Sequence, residues 1–361
     1  MAEALETRGL RHVGVQHFRH LDNTQIEPSY GVNIIHGANA AGKTSLLESI
    51  HFLARARSFM THRSQRLVAT AEQVVTVTGQ IATPAHTYQL GVQFRDGETR
   101  VRLDGQDVQA LSESAWLMPV QVINTETQRL LTDGPAMRRA LVNWGVFHVE
   151  PSYRTQWRRY WRAHKQRNAA LKGGNGKLAA AWEPEMVAAG EQVDERRRDF
   201  LDALLPGVMA LASQWMPNVT FDWRFRSGWP KGTALADALA NARERELSQG
   251  FGHYGPQRAD LRLLADGEDA ATRLSRGQQK LLVAALRLGL VGYWAQRSEQ
   301  RPLLLMDDLP AELDRGHREL LMAEVRAMPA QSFLTTIEPN QLPDVGQGQW
   351  FHVEQGKIRP E

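Results

Sequence analysis

The chain has 361 residues, 42% apolar and 23% charged, enough for two lobes with cores of their own. It contains no cysteine, which excludes disulfides, thiolate metal sites and cysteine nucleophiles. The net charge of +3 is too small to argue for a nucleic-acid partner, so the distribution of charge must carry that point.

The opening residues, Met1-Ala2-Glu3-Ala4-Leu5-Glu6, carry two acids and no apolar run, and predict no signal peptide. No stretch approaches the ~18 apolar residues of a membrane span. A cytoplasmic location is expected. Residues 10–36 read as two strands with a turn at Asn23; Leu10, Val13, Val15 and Phe18 alternate roughly as a strand should. The apolar run Val32–Ile35 reads as a buried strand. Gly37-Ala38-Asn39-Ala40-Ala41-Gly42-Lys43-Thr44-Ser45 follows it and leads into Leu46-Leu47-Glu48-Ser49-Ile50, the start of a helix expected to reach about Ala56. A G-x-x-x-x-G-K-[ST] string between a strand and a helix is a phosphate-binding loop. The glycines let backbone N–H groups curl around a phosphate chain, and the helix N-terminus adds partial positive charge. Lys43 is expected to reach the outer phosphates and the Thr44 hydroxyl to ligate Mg²⁺. An ordinary glycine turn is the plainer alternative, and the second half of the same site, near the C-terminal end, argues against it.

Between 74 and 108 the apolar period becomes two: Val75, Val77, Gly79 and Ile81, then Leu90, Val92 and Phe94, then Val101 and Leu103. Asp96-Gly97 and Asp104-Gly105 are hairpin turns. An antiparallel sheet flanking the nucleotide fold is expected, and Val120, Val122 and Ile123 suggest one more strand.

Helical composition begins near Arg138. From Pro151 to Trp182 there is no Asp or Glu, but there are Arg154, Arg158, Arg159, Arg162, Lys165, Arg167, Lys172 and Lys177. Arg154, Arg158 and Arg162 are four apart and share a helix face, beside a stripe of Tyr153, Trp157 and Trp161. Such a helix would pack by its rings and offer its cations to a phosphate backbone, which makes these three arginines the candidate DNA contacts. A solvated face on a core helix is the plainer reading, and Arg138 and Arg139 could equally be structural. Gly173-Gly174-Asn175-Gly176 breaks the helix, and a second helix from Glu185 to Leu205 closes a short hairpin. Val219, Phe221, Trp223 and Phe225 predict a strand, 234–248 a helix, Trp229-Pro230-Lys231-Gly232 a loop, and Gly255-Pro256 a turn before a strand at Leu261–Leu264.

Leu274-Ser275-Arg276-Gly277-Gln278-Gln279-Lys280 opens an apolar helix, Leu281–Val291, with Ser275 as its N-cap. Its first-turn amides could hold a γ-phosphate; a capped core helix is the alternative. Leu303–Met306 reads as a buried parallel strand ending in Asp307-Asp308. Asp307 would hold Mg²⁺, directly or through water, and Asp308 would orient or deprotonate an attacking water. Simple helix capping is the competing role for this acid pair. Ala311-Glu312-Leu313-Asp314 turns into a helix, Ser332–Ile337 gives a strand, and Trp350–Ile358, turning at Gln355-Gly356, a closing hairpin.

A phosphate loop, a Leu-Ser-x-Gly-Gln helix start, a strand ending in Asp-Asp and an Ala-Glu-Leu-Asp turn stand here in the order of the ABC-type ATPase heads. The two ends joined around a helical insert look like the SMC-like branch. Within it the chain resembles the RecF family of bacterial DNA-repair and replication proteins over nearly its whole length. The most specific matches are Gly37–Ser45, Gly134-Pro135-Ala136-Met137-Arg138-Arg139, Trp144–His148, Lys165–Asn168, Gly255-Pro256 with Arg258-Ala259-Asp260, Leu274–Gln279, Leu305–Asp314 and Glu354–Ile358.

The resemblance implies an α/β fold. An ABC-type ATPase head, a P-loop nucleotide fold with a flanking antiparallel sheet, would form lobe I from 1–123 and 275–361. A mainly helical lobe II with a short helical hairpin would span 124–274. It implies that Gly37, Ala38, Asn39, Ala40, Ala41, Gly42, Lys43, Thr44 and Ser45 bind ATP together with Arg19, that Thr44 and Asp307 hold Mg²⁺, and that Asp308 and Lys43 are catalytic. Ser275, Gly277 and Gln278 of one chain would cap the γ-phosphate on the other in an ATP-dependent homodimer. The implied function is largely sequence-independent clamping of gapped or junction DNA in recombinational repair and replication, with weak ATP hydrolysis resetting the dimer. RecO and RecR are the implied partners, and loading of RecA the purpose.

The chain departs from the family pattern in reading Phe18-Arg19-His20 for Phe-Arg-Asn, Gln257 for a histidine, and Ala311, behind Pro310, for a serine. ABC transporters carry a glutamate at Asp308 and a histidine at Thr335-Thr336; the RecF family shares these two differences, which argues against a transporter subunit on a membrane partner. Gln121, Glu126 and Gln128 are all candidates for the Q-loop residue. The shorter acid at Asp308 fits slow hydrolysis. The alternatives within reach are a structural clamp in which turnover is incidental, and another SMC-like repair ATPase, although those need longer coiled-coil arms than this chain has room for.

Overall fold

The computed structural model of the chain describes residues 8–70, 72–108, 111, 114–297, 300–308, 313–343 and 345–361. They form two compact units: the described residues up to Thr127 together with those from Arg287 onward, and Gln128–Leu286.

The first unit opens with β1 (Gly9–Gln16) and β2 (Thr24–Ile26), paired antiparallel with Val13 opposite Ile26. Pro28 cannot donate to a ladder, so β2 is short and the chain leaves that sheet. It re-enters as β3 (Val32–His36) in a different sheet, so the segment 10–36 holds three strands where the alternation suggested two. After the glycine loop comes α1 (Lys43–Arg55), in which only Thr44 and Arg55 escape burial. Four strands follow: β4 (Val74–Ala82), β5 (Thr87–Arg95), β6 (Glu98–Leu103) and β7 (Gln106–Asp107). Their tight turns put both residues at positive φ, Asp96 at 52° with Gly97 at 85° and Asp104 at 49° with Gly105 at 79°. These are the type I′ turns whose twist matches that of the flanking strands. β8 (Val120–Ile123) completes this stretch.

The second unit carries α2 (Arg129–Thr132), α3 (Pro135–Val149), α4 (Tyr153–Lys172), α5 (Gly176–Ala181) and α6 (Glu183–Trp215). Then come β9 (Phe221–Arg226), α7 (Leu235–Gln249), β10 (Asp260–Ala265), β11 (Glu268–Asp269) and α8 (Ala270–Arg273). α4 and α6 lie along one another as a short hairpin. Helix α6 runs on to Trp215 with Pro206 inside it. Proline at that point looks like a stop, but burial of Val208, Met209, Ala212 and Trp215 carries the helix past it. The strands form a small antiparallel sheet in the order β11-β10-β9. The boundary between the units falls within α9 (Arg276–Arg297).

The chain returns to the first unit with β12 (Leu303–Met306), α10 (Arg315–Ala327), β13 (Gln331–Thr336), β14 (Gln349–Glu354) and β15 (Lys357–Pro360). Pro310, Ala311 and Glu312 of the expected turn lie outside the described residues. Asp314 caps α10 by accepting the His317 N–H at 3.0 Å.

Among the described residues the first unit has two sheets. One is antiparallel, in the order β2-β1-β4-β5-β6-β7; the other runs β15-β14-β3-β13-β12-β8. In the second, every pair is parallel except β14 with β15. β8 therefore belongs to the nucleotide sheet, with Val120 opposite Leu303, and not to the antiparallel one. Helix α1 contacts β4 and β5 of one sheet and β12 and β13 of the other. The helix is buried on nearly every side, and its apolar residues Leu46, Leu47, Ile50, Phe52 and Leu53 share one continuous core with Val77, Leu90, Leu305 and Phe333. Among the described residues no helix is long and apolar enough to cross a membrane.

Candidate functional site

The loop from Gly37 to Gly42 depends on backbone conformations that side chains resist. Gly37 has φ 147°, and a Cβ there would stand 2.1 Å from the carbonyl oxygen of Val353. Gly42 has φ 123°, and its Cβ would meet Leu21 at 2.7 Å. Ala40, at φ 61°, takes the left-handed turn between them. Gly42 is the N-cap of α1 and, having no side chain, makes no capping bond. The first-turn amides are thus left to whatever the loop encloses, and a phosphate is the ligand that suits them. Lys43, only 5% exposed, folds over the loop: its Nζ donates to the carbonyls of Gly37 at 2.8 Å and Ala38 at 3.0 Å.

At the end of β12 three hydroxyl and carboxyl groups converge with the loop. Thr44 Oγ1 donates to Asp307 Oδ1 at 3.0 Å. Thr335 Oγ1 lies 2.9 Å from the same oxygen and 3.2 Å from Asp308 Oδ1, and accepts the Asp308 N–H at 2.9 Å. The register explains the meeting: Met306 pairs with Leu334, so the next residue along each strand is Asp307 and Thr335. Asp308 takes a left-handed backbone, φ 51°, which the bond to Thr335 holds. Burial, with the neighbouring Asp308 charge, pushes the Asp307 carboxyl above its ordinary value, against the hydrogen bonds from Thr335 and Thr44 and the charge of Lys43. A buried carboxylate sharing an oxygen with a threonine hydroxyl is a hard donor pair, and a divalent cation such as Mg²⁺ fits it. Sequence reasoning noted Thr335 only as a departure from the transporters; its place at a strand end beside the acid pair was the available signal.

Arg19, the remaining nucleotide candidate of this unit, sits at φ 53° and is tied to Glu48 of α1. Its Nε donates to Glu48 Oε2, its Nη2 to Oε1 at 2.8 Å, and Ser58 Oγ also donates to that carboxylate. Glu48 is fully buried and was missed; a lone acid inside an apolar helix is the sign of such a partner. Of the Q-loop candidates, Gln121 lies buried within β8 and accepts from Arg287 Nη1 at 2.8 Å, Glu126 is exposed just after β8, and Gln128 begins the other unit.

In the second unit Ser275 and Gln278 form a reciprocal capping box at the start of α9. Ser275 Oγ accepts the Gln278 N–H at 3.3 Å, and Gln278 Oε1 accepts the Ser275 N–H at 3.0 Å. Ser275 and Gly277 are exposed, and a Cβ at Gly277 would meet nothing within 4 Å. Gln279 turns inward and donates to the carbonyls of Ala271 and Leu274.

The other motifs of this unit hold it together. Arg138 is clasped by Asp260 through Nε at 2.8 Å and Nη2 at 3.2 Å, and its Nη1 donates to the carbonyls of Leu130, Leu131 and Asp133. Arg139 donates to the Ala259 carbonyl at 2.9 Å. Both arginines are structural. The basic run does not act as one face: Arg167, 1% exposed, lies between Glu183 at 3.0 Å and Glu246 at 2.7 Å, and Arg159 pairs with Glu185 at 2.8 Å. Arg158 and Arg162 are exposed on α4 and Arg154 is half-buried. Of the ring stripe, Tyr153 is buried, Trp157 half-buried, and Trp161 is 40% exposed, so the stripe does not pack along its length.

A family model described as the RecF/RecN/SMC N terminal domain matches residues 9–357. The chain is 38% identical over 354 residues to the DNA replication and repair protein RecF of Shewanella baltica (strain OS155), covering 97% of this chain and 98% of that protein. It is 39% identical over 360 residues to RecF of Pseudomonas putida (strain GB-1), covering 97% of each. Among solved structures, the recombination mediator protein RecF-ATP in the RecFOR pathway superimposes with a TM-score of 0.87 at 21% identity, over 99% of this chain and 98% of that one. The Smc head domain of Pyrococcus furiosus, with an extended coiled coil and bound to the C-terminal domain of ScpA, does so with a TM-score of 0.60 at 13% identity, over 98% and 96%. These likenesses show the fold, an ABC-type ATPase head. With the family match running almost end to end and such identity over nearly the whole length, the chain belongs to the RecF family of SMC-like ABC-type ATPases.

Proposed function

We propose that the chain is an ATP-dependent DNA-binding protein of recombinational repair and replication, in which two copies close head to head around ATP and the closed dimer holds DNA. The observation that carries this reading is the convergence of Thr44, Asp307, Thr335 and Asp308 beside a glycine loop whose amides are uncapped. Residues 1–123 with 275–361 act as the ATPase lobe and 124–274 as the helical lobe. The amides of Gly37–Ser45 and the Lys43 ammonium bind the phosphates, with Arg19 close by. Thr44 and Asp307 hold Mg²⁺, which supplies charge neutralisation to the phosphate oxygens. Asp308 orients the attacking water and accepts its proton. Fixing both carboxylates on one threonine favours a set geometry over speed, and fits a weak ATPase that serves as a switch.

Ser275, Gly277 and Gln278 complete the site of the other copy. The exposure of Ser275 and Gly277 and the open space before Gly277 support a face that meets a second molecule. ATP then has a far higher affinity for the closed dimer than for the open chains, which is what a switch requires. DNA meets Arg154, Arg158 and Arg162 through its phosphates, with little sequence readout. A solved relative named as the recombination mediator protein of the RecFOR pathway supports RecO and RecR as partners. RecA is the protein served, and the cytoplasm the place of action. Sedimentation velocity tests the switch: the protein sediments as a dimer with ATP and as a monomer with ADP, and a monomer in both sinks the head-to-head reading.

A further inference from the structure

Helix α4 carries a ladder of rings along the border between its buried and exposed sides. Tyr153, buried, stacks on Trp157 with centroids 6.1 Å apart and planes 12° from parallel. Trp157 meets Trp161 edge-on at 5.5 Å, and Trp161 meets His164 edge-on at 5.0 Å. A tryptophan gains most by burial, yet Trp161 keeps 40% of its surface in solvent while the rings on either side hold it in place. Burial, helped by the charges of Arg167 and Arg258, pushes His164 down to about 4, so at neutral pH it is an uncharged flat ring.

The exposed charges flanking Trp161 are cationic, and the acid that also acts on His164, Glu246, is fully buried against Arg167 at 2.7 Å. Arg158 and Lys165 lie one turn before and after Trp161 on the same helix, and both are exposed. Arg258, also exposed, acts on His164 from the neighbouring segment, where Gln257 contacts Tyr160. No Asp or Glu occurs between Pro151 and Trp182, and Glu185, which pairs with Arg159, lies on the other edge of the helix. An exposed, fixed ring flanked by cations suits a ligand with both π-faces and phosphates.

We infer that Trp161, supported by Trp157 and His164, is a stacking platform for an unpaired base of DNA, with Arg158, Lys165 and Arg258 on the adjoining phosphates. The inference rests on the DNA-binding reading above and specifies what the surface reads. A duplex keeps its base faces inside its own stack and engages the cations alone; a gap or a single-stranded tail offers a face to the ring.

The test is fluorescence anisotropy, with ATP, of three labelled substrates: a continuous duplex, the same duplex with a gap of about ten nucleotides, and that gap built from abasic nucleotides. The wild type binds the ordinary gap about ten-fold more tightly than the abasic one. Trp161→Ala lowers the ordinary gap to the abasic level, Trp161→Phe restores most of the difference, and neither changes duplex binding. Equal affinity of the wild type for the two gaps overturns the inference while leaving the DNA-binding reading intact, and so does a Trp161→Ala loss that is as large on duplex as on the gap. No binding to any of the three overturns both.

Discussion

Thr44 and Asp307, 263 positions apart in the chain, meet with the threonine hydroxyl donating to the carboxylate at 3.0 Å. That bond joins the glycine loop to the acid strand of the same sheet. It also falls short of what Asp307 needs, because burial still raises its carboxyl above the ordinary value. An acid whose native pKa is raised binds more protons folded than unfolded, so stability falls as pH rises from about 4 through the raised value. Without nucleotide or Mg²⁺, Asp307→Asn removes that fall. Its melting temperature gains on the wild type as pH is taken from 4 towards 7, while ATP·Mg²⁺ no longer stabilises it. A gap between the two proteins that does not change with pH contradicts this account.

Gly37→Ala sets a Cβ against a backbone carbonyl at a φ that side chains rarely adopt. Neither obstacle can rotate away. The substitution costs about 2 kcal/mol or more, seen as a lower urea midpoint, and nucleotide binding falls with it. Gly97→Ala, at a hairpin where a Cβ meets nothing within 4 Å, carries the φ cost alone and loses less.

Ser275 has two roles that substitutions can separate. Ser275→Ala loses the cap and costs about 1 kcal/mol of stability, whereas Ser275→Gly costs only a few tenths. If the side chain also completes the neighbour's site, both variants lose the ATP-driven dimer in sedimentation. Loss in the alanine variant alone assigns the effect to the cap.

Arg138 is a buried charge with a single carboxylate partner and three carbonyl acceptors. Arg138→Ala leaves Asp260 only its longer pairing with Arg262 at 3.5 Å, empties the three carbonyls of their donor, and costs about 3 kcal/mol. Arg138→Lys recovers little of this, because an ammonium cannot make the two-pronged contact. Urea denaturation of the whole protein reads both, and a loss below about 1 kcal/mol would show the pair to be dispensable.

The glycine loop was legible because its spacing encodes its chemistry, and the first hairpins because Asp-Gly selects one turn type. Where partners are distant, the residues alone were silent. Val120–Ile123 reads as a strand, but its neighbour in the sheet, Leu303–Met306, comes far later in the chain. Glu48 reads as one more helix residue until Arg19 is seen against it. The basic run of α4 looks like a single cationic face because the acids that neutralise Arg159 and Arg167 lie outside it, on α6 and α7. Pro206 hid the last turns of α6, where buried side chains outweigh a broken hydrogen bond.

The most direct measurement of the central claim is anisotropy of a labelled gapped duplex titrated with the protein, in ATP and in ADP, at two salt concentrations. The account predicts tight binding with ATP, much weaker binding with ADP, affinity that falls with salt as phosphate contacts require, and loss of the ATP effect in Lys43→Ala. Equal binding in both nucleotides, or none in either, would contradict an ATP-gated DNA clamp.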